Sequence, residues 1–361
     1  MKTGILVVNL GTPDTPQVKD VKKYLTEFLT DERVIDLSSI KRNILVRGII
    51  VPFRAPKIAK EYKKLWLKNG SPLMVYGRSL VEKLNTLFDN DVEVELAMRY
   101  QNPSIEKALT SLRKKNVERI IVFPLFPQYA SATTGSVVQK VMSIISKWNI
   151  IPSIDFINSY HTDSRYINLF TEKVATDIDY YKPDHVLFSY HGIPERHLKN
   201  IQKQDNEKCA WPNCSCGKKS ENKPYCYRSA CFKTSELIAQ KIDTPFSTSF
   251  QSRLGKDPWI QPYTDDTIIH LIEEGVKNLL VVSPSFVADC LETTLEIGEE
   301  YRELFLSNGG KKFHFTRSLN DDDDWAKAIY DIINEKLQQH EKHTFNSTSQ
   351  LYSIYSISTA I

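Results

Sequence analysis

Short apolar, β-branched runs alternate with stretches of helical period along most of the chain, and this beat constrains the fold more than any other feature. The runs ILVVNL, VEVELAMRY and RIIVFPLF are followed by helical patterns over Val18–Phe28, Ile105–Lys115 and Val137–Trp148. The beat resumes with HVLFSY, STSFQSR and NLLVVSPSF, followed by helical patterns over Thr234–Lys241, Asp265–Glu274 and Leu291–Phe305. Such alternation predicts parallel sheet with crossover helices. One set ends near Trp148 and the next begins near Asp155, so the expected fold is α/β, with two doubly wound, Rossmann-like lobes flanking a cleft. The expected division is a first lobe over 1–152, a second over 153–320 with a cysteine-bearing insertion at 205–232, and a C-terminal helix over 321–338. Residues 339–361 lose charge and periodicity and read as a weakly ordered tail.

Composition narrows the function classes. At 361 residues the chain can bury two cores, and 41% hydrophobic with 25% charged residues is the balance of a folded protein. A net charge of +3, with both signs interspersed, gives no phosphate-neutralising footprint, so nucleic acid is not an expected partner. ILVVNL is too short for a signal-peptide core, and no stretch reaches the roughly 18 apolar residues of a membrane span. The cytoplasm is therefore the default location, with a monomer or a homodimer equally open. One segment, Ile40 to Pro56, interleaves Lys41, Arg42, Arg47 and Arg54 with Ile44, Leu45, Val46, Ile49, Ile50 and Phe53. A basic, apolar stretch of this kind suits peripheral contact with an anionic bilayer, or else packing on its own domain. No GxGxxG or P-loop pattern occurs, which disfavours a nucleotide cofactor.

In open parallel sheets the ligand crevice lies beyond the carboxyl ends of the strands. His191 follows directly on an apolar strand in SYHGIP, where an imidazole can take a proton or bind a metal. After NLLVVSPSF comes DCLETTLE; a helix beginning near Val287 aligns Asp289, Glu292, Glu296 and Glu299 on one face. Acids also favour the first helical turn through its dipole. An aligned row carries a like-charge cost that needs a further reason. Imidazole with carboxylates makes a mixed nitrogen and oxygen site that suits ferrous iron. The first lobe offers Arg33, Lys63, Lys64, Ser71 and the pair Arg99–Tyr100, cations and hydroxyls suited to a flat ligand bearing carboxylates.

At these residues the chain resembles the ferrochelatase family, from about Gly4 to Trp325. The resemblance is carried by VVNLGTPD, YLTEFLTDERVIDL, NGSPL, AMRY, FPLFPQYASATTGS, SYHGIPERH, STSFQSRLGKDPWIQPYTDDT and VVSPSFVADCLETTLEIGEE, in that order. It implies a lyase that inserts ferrous iron (Fe2+), its substrate, into protoporphyrin IX to form protohaem, the last step of haem biosynthesis. By the same resemblance His191 is the catalytic histidine, Glu292 its partner acid at the iron, and Asp289 with Glu296 a secondary acidic line. Ser71, Arg99, Tyr100 and Trp259 are its expected porphyrin-binding residues, to which the reading of the first lobe adds Arg33 and the strand end at Tyr129. The chain departs from the family pattern where Thr294–Leu295 follows Leu291-Glu292-Thr293.

Five of six cysteines, Cys209, Cys214, Cys216, Cys226 and Cys231, crowd one segment with four, one, nine and four residues between them. This is neither a zinc-ribbon nor a plant-type ferredoxin spacing, yet four thiolates could hold a two-iron two-sulfur cluster or a zinc ion. Free thiols in a purely structural insertion are the other reading. Competing functions are a coproporphyrin ferrochelatase or cobalt chelatase on the same fold, a tetrapyrrole or iron carrier without catalysis, and a zinc module recruiting nucleic acid.

Overall fold

The computed structural model describes residues 1–205, 225–253, 255 and 257–338. Four parallel strands, β1 (Thr3–Gly11), β2 (Val92–Tyr100), β3 (Arg119–Pro124) and β4 (Ser153–Phe156), form a sheet in the order β2-β1-β3-β4. Four more, β5 (His185–His191), β6 (Phe246–Gln251), β7 (Asn278–Val282) and β8 (Lys312–Phe315), form a second parallel sheet in the order β6-β5-β7-β8. The same order therefore occurs twice. In each sheet the direction of winding reverses beside the first strand, which makes the carboxyl ends of β1 and β5 the crevice positions. The α/β expectation holds. The boundary at 152/153 does not: β4 pairs with β3 from Arg119↔Ser153 to Val122↔Phe156, so the first sheet extends to Phe156.

Strand β1 is apolar without alternation because helices cover both of its faces. Ile5 and Val7 point into one core with Leu84, Leu96 and Phe123, while Leu6 and Val8 point into another with Leu109, Leu112 and Val141. The helices Val18–Leu29, Ile105–Lys114 and Thr264–Glu273 lie within a residue of their expected bounds, and Ser136–Ile145 stops short of Trp148. Helix Tyr227–Ala239 begins earlier than expected, inside the segment read as the cysteine insertion.

The two sheets share a core. A helix over 323–338 places Trp325, Ile329 and Ile333 in one buried cluster with Val7 and Phe123 of the first sheet and Phe188 and Val282 of the second. Tyr166, Phe170 and Val174 of helix Ser164–Tyr181 join the same cluster.

Candidate functional site

His191 closes β5, and its backbone is held on both sides. Its carbonyl accepts from Tyr227 Oη at 2.9 Å, and the next amide, of Gly192, donates to the Gln251 carbonyl at 2.8 Å. The ring Nδ1 lies 2.6 Å from the Gly192 carbonyl oxygen. A carbonyl only accepts, so Nδ1 carries a proton, and Nε2 is the nitrogen that bears the lone pair whenever the ring is neutral. The half-buried ring stands between Trp259 and Phe286, each with its ring centre 6.3 Å away. Gly192 permits this packing, since a Cβ there would lie 2.9 Å from the Gln251 carbonyl oxygen and 3.1 Å from the Trp259 ring.

The acids after β7 are arranged differently from the expected row. Residues 287–290 are not helical, and Glu292–Tyr301 is a π-helix continued by an α-helix over Arg302–Ser307. Its i→i+5 bonds widen the turn, so residues seven apart no longer share a side. Glu299 accordingly faces Lys64 of the first lobe, 2.7 Å from its Nζ. Asp289 precedes the helix, and its carboxylate accepts from Asn320 Nδ2 at 2.6 Å and Thr293 Oγ1 at 3.3 Å.

Glu292 and Glu296 remain together, both half-buried. Glu296 accepts from Ser252 Oγ at 2.5 Å, Tyr301 Oη at 3.0 Å and Gln251 Nε2 at 3.4 Å. Burial pushes the Glu296 carboxyl above the usual carboxylate range; the Ser252 hydroxyl and the nearby His191 oppose this, and the charge on Glu292 adds to it. The same Glu292 charge, after burial, raises the phenols of Tyr24 and Tyr62 in the first lobe. The charge on Glu292 is thus felt by groups of both lobes, the Tyr24 and Tyr62 phenols on one side and Glu296 on the other. Among the described residues, no three His, Cys, Asp or Glu side chains gather closely enough to hold an ion by themselves.

The first-lobe positions divide. Arg33 and Tyr129 are neighbours across Gly135, where a Cβ would lie 3.2 Å from Arg33 Nη1 and 3.1 Å from Tyr129 Oη. Arg99 and Tyr100 are occupied structurally: Arg99 Nη2 lies 2.6 Å from Asp31 Oδ2, and the Tyr100 hydroxyl donates to the same oxygen at 2.9 Å. Tyr100 is 0% exposed, so its ring cannot lie against a ligand in this arrangement. Ser71 is buried as the N-cap of helix Pro72–Leu87, its Oγ accepting from the Met74 amide at 3.3 Å. Its hydroxyl serves the helix end.

The chain matches the family model described as Ferrochelatase over residues 2–337. A protein named ferrochelatase from Legionella pneumophila (strain Corby) is 44% identical over 341 residues, covering 93% of this chain and 100% of that protein. The chain belongs to the ferrochelatase family. A ferrochelatase of Coxiella burnetii (strain Dugway 5J108-111) is 41% identical over 344 residues, covering 93% of this chain and 94% of its own length. Among solved structures, SirB from Bacillus subtilis with Fe3+ aligns at a TM-score of 0.54 over 95% of this chain and 98% of that one. At 13% identity that likeness is one of fold. The ferrochelatase membership makes the chain a haem-biosynthetic enzyme of the ferro-lyase class, with a porphyrin and ferrous iron as substrates.

The cysteine expectation is reduced. Cys209, Cys214 and Cys216 lie outside the described residues. Cys231 is 0% exposed in the shared core, and burial pushes its thiol well above the ordinary range. Packed among Tyr166, Tyr190 and Tyr227, Cys231 does not fit as a thiolate ligand. Cys226, half-buried, is the N-cap residue of helix Tyr227–Ala239.

Sequence reasoning singled out His191, Glu292, Glu296 and Trp259, placed Gln251, Ser252 and Phe286 at strand ends without giving them a role, and passed over Asp31. Phe286 and Ser252 stand at strand ends, which was the available signal. The role of Asp31 depends on partners 68 and 105 residues away, Arg99 and Ser136, which no local pattern reveals.

Proposed function

We propose that the chain inserts ferrous iron into protoporphyrin IX in the crevice beyond β5 and β7, releasing two protons. Those protons must leave the pyrrole nitrogens before metal can enter, and a planar macrocycle hides its lone pairs from an ion approaching along the normal. A cleft that bends the ring binds the transition state better than the flat substrate. His191 receives the pyrrole protons at Nε2, with Trp259 and Phe286 as apolar walls. The observation that carries this reading is the Nδ1–H bond to the Gly192 carbonyl, which leaves Nε2 as acceptor at a strand end beside two acids. Glu292 supplies negative charge as iron sheds water. Glu296, with its carboxyl raised by burial, exchanges protons nearer neutrality than an ordinary glutamate and can pass on those that His191 collects. Iron must depart with the porphyrin, so one imidazole and one carboxylate suffice as a weak, incomplete ligand set.

A second part of the proposal is peripheral contact with the cytoplasmic surface of an anionic membrane. No helix among the described residues is long and apolar enough to cross one. Yet Ile40, Ile44, Ile49 and Phe53 are exposed, Phe53 by 78% and Ile40 by 76%, beside the exposed cations Lys41, Arg47 and Arg54. An apolar row flanked by cations suits a bilayer interface from which an apolar porphyrin would be drawn.

The test is anaerobic turnover with ferrous iron and each of protoporphyrin and coproporphyrin, read from the product spectrum. Preferential formation of protohaem is expected. Turnover confined to coproporphyrin would overturn the substrate, and no turnover with either would overturn the function.

A further inference from the structure

We propose that Gln251 is a positioning residue that sets the separation between His191 and the π-helix bearing Glu292 and Glu296. This inference rests on the reading of His191 and Glu292 as the reacting pair.

The register of the second sheet pairs Gln251 with His191 directly across β5 and β6. The Gln251 carbonyl takes the Gly192 amide at 2.8 Å, so the main chain that holds the imidazole is tied to this residue. Its side chain, only 1% exposed, extends towards the acids. Ser189 lies two residues before His191 and so projects from the same face of β5. Its hydroxyl donates to Gln251 Oε1 at 2.7 Å, and the amide is oriented by the groups at its other end, a carbonyl and a carboxylate that only accept. Ser189 Oγ lies in turn 2.9 Å from Thr264 Oγ1, which lies 2.9 Å from Ser249 Oγ, so the amide is anchored in a buried polar network.

The opposite end, Nε2, faces the π-helix, 3.5 Å from the Glu292 carbonyl oxygen and 3.4 Å from Glu296 Oε2. One planar group thus spans from the histidine strand to both acids. Ser252 completes the clamp: its φ of +65°, unusual for a non-glycine residue, accompanies a 2.5 Å bond from its hydroxyl to the same Glu296 oxygen. A buried amide held at both ends can transmit sheet geometry to a helix that its own wide turns leave less rigid.

The experiment uses the full-length enzyme with Gln251→Met, which keeps length and removes both hydrogen-bonding functions. Iron insertion is measured anaerobically, with porphyrin binding followed separately by fluorescence quenching. The expected result is a fall of about 10–100-fold in kcat/KM for iron, typical of lost support behind a metal ligand, with the porphyrin Kd within twofold of the parent. Gln251→Glu, which keeps Oε1 but puts a second carboxyl against Glu296, is expected to move the acid limb of the rate–pH profile upwards. Unchanged iron kinetics in Gln251→Met, or parallel losses of porphyrin binding and thermal stability, would overturn the proposal. If Gln251→Met does not fold, Ser189→Ala decides: it leaves the amide but removes the bond that anchors its Oε1, and normal iron kinetics there would refute the clamp. His191→Ala is assayed alongside. Activity in that variant would mean that the underlying reading has failed, whereas a dead His191→Ala with a normal Gln251→Met would reject the positioning role alone.

Discussion

At the scale of single residues, the site is organised by hydrogen bonds that leave particular atoms uncommitted. His191 spends Nδ1 on a carbonyl and keeps Nε2, while Arg99, Tyr100 and Ser71 spend their polar groups on the protein itself. The placement of His191 at a strand end was legible because the apolar run before it reads as a buried strand of an α/β chain. The contact of Arg99 and Tyr100 with a distant aspartate was not legible, because a cation next to a phenol looks the same in sequence whether its partner is a ligand or a carboxylate far along the chain. Asp31 is that partner. Burial would raise its carboxyl, but the Ser136 hydroxyl, the Arg33 amide, Arg99 and Tyr100 together hold it below the ordinary value. Its contribution to stability is therefore complete above the ordinary aspartate range and lost as pH falls through the lowered folded value. Asp31→Asn should cost about 3–5 kcal/mol at neutral pH by leaving Arg99 buried without its counter-charge. Urea denaturation at neutral and acid pH checks this, and a cost that persists undiminished in acid would contradict the assignment.

At the scale of elements, the recurring surprise is the π-helix. Among the described residues three stretches adopt it, Ile44–Ile50, Ser131–Gly135 and Glu292–Tyr301. An α-period laid on the acids gave one long carboxylate face, whereas the wider turn keeps Glu292 with Glu296 and turns Glu299 outwards to Lys64. The same geometry explains the basic segment. In a regular α-helix the five-residue step from Ile44 to Ile49 would swing the second half of the row round the axis. The π-helical Ile44–Ile50 stretch instead suits a five-residue step, which keeps Ile40, Ile44, Ile49 and Phe53 available as one exposed row. No hydrophobic pattern in the sequence distinguishes these periods over so short a span. Replacing Ile49 and Phe53 together by Asp should abolish sedimentation with anionic liposomes while changing stability by no more than about 0.5 kcal/mol, because exposed positions rarely contribute more. Undiminished liposome binding would count against the membrane face.

At the scale of the whole molecule, the same strand order is used twice; the strand–helix beat announced two parallel sheets but not their order. What the beat did not reveal is that the lobes are joined by a common core. The helix over 323–338 reads as a C-terminal appendage, yet Trp325 is 0% exposed and packs with Tyr160 and Tyr166 between the sheets. Periodicity marks the helix but not its destination, since burial between two sheets leaves no local signature. Trp325→Ala should therefore cost about 3–5 kcal/mol, as expected for emptying a large aromatic site. Fluorescence and activity should also be lost at one denaturant midpoint. Two separated transitions would show that the lobes fold independently.

If porphyrin metallation runs through Nε2 of His191 beside Glu292, as proposed, His191→Ala must abolish it. Anaerobic ferrous iron insertion should fall below detection in this variant, while protoporphyrin binds with a Kd within twofold of the parent. Iron insertion at a rate comparable to the parent would contradict the account.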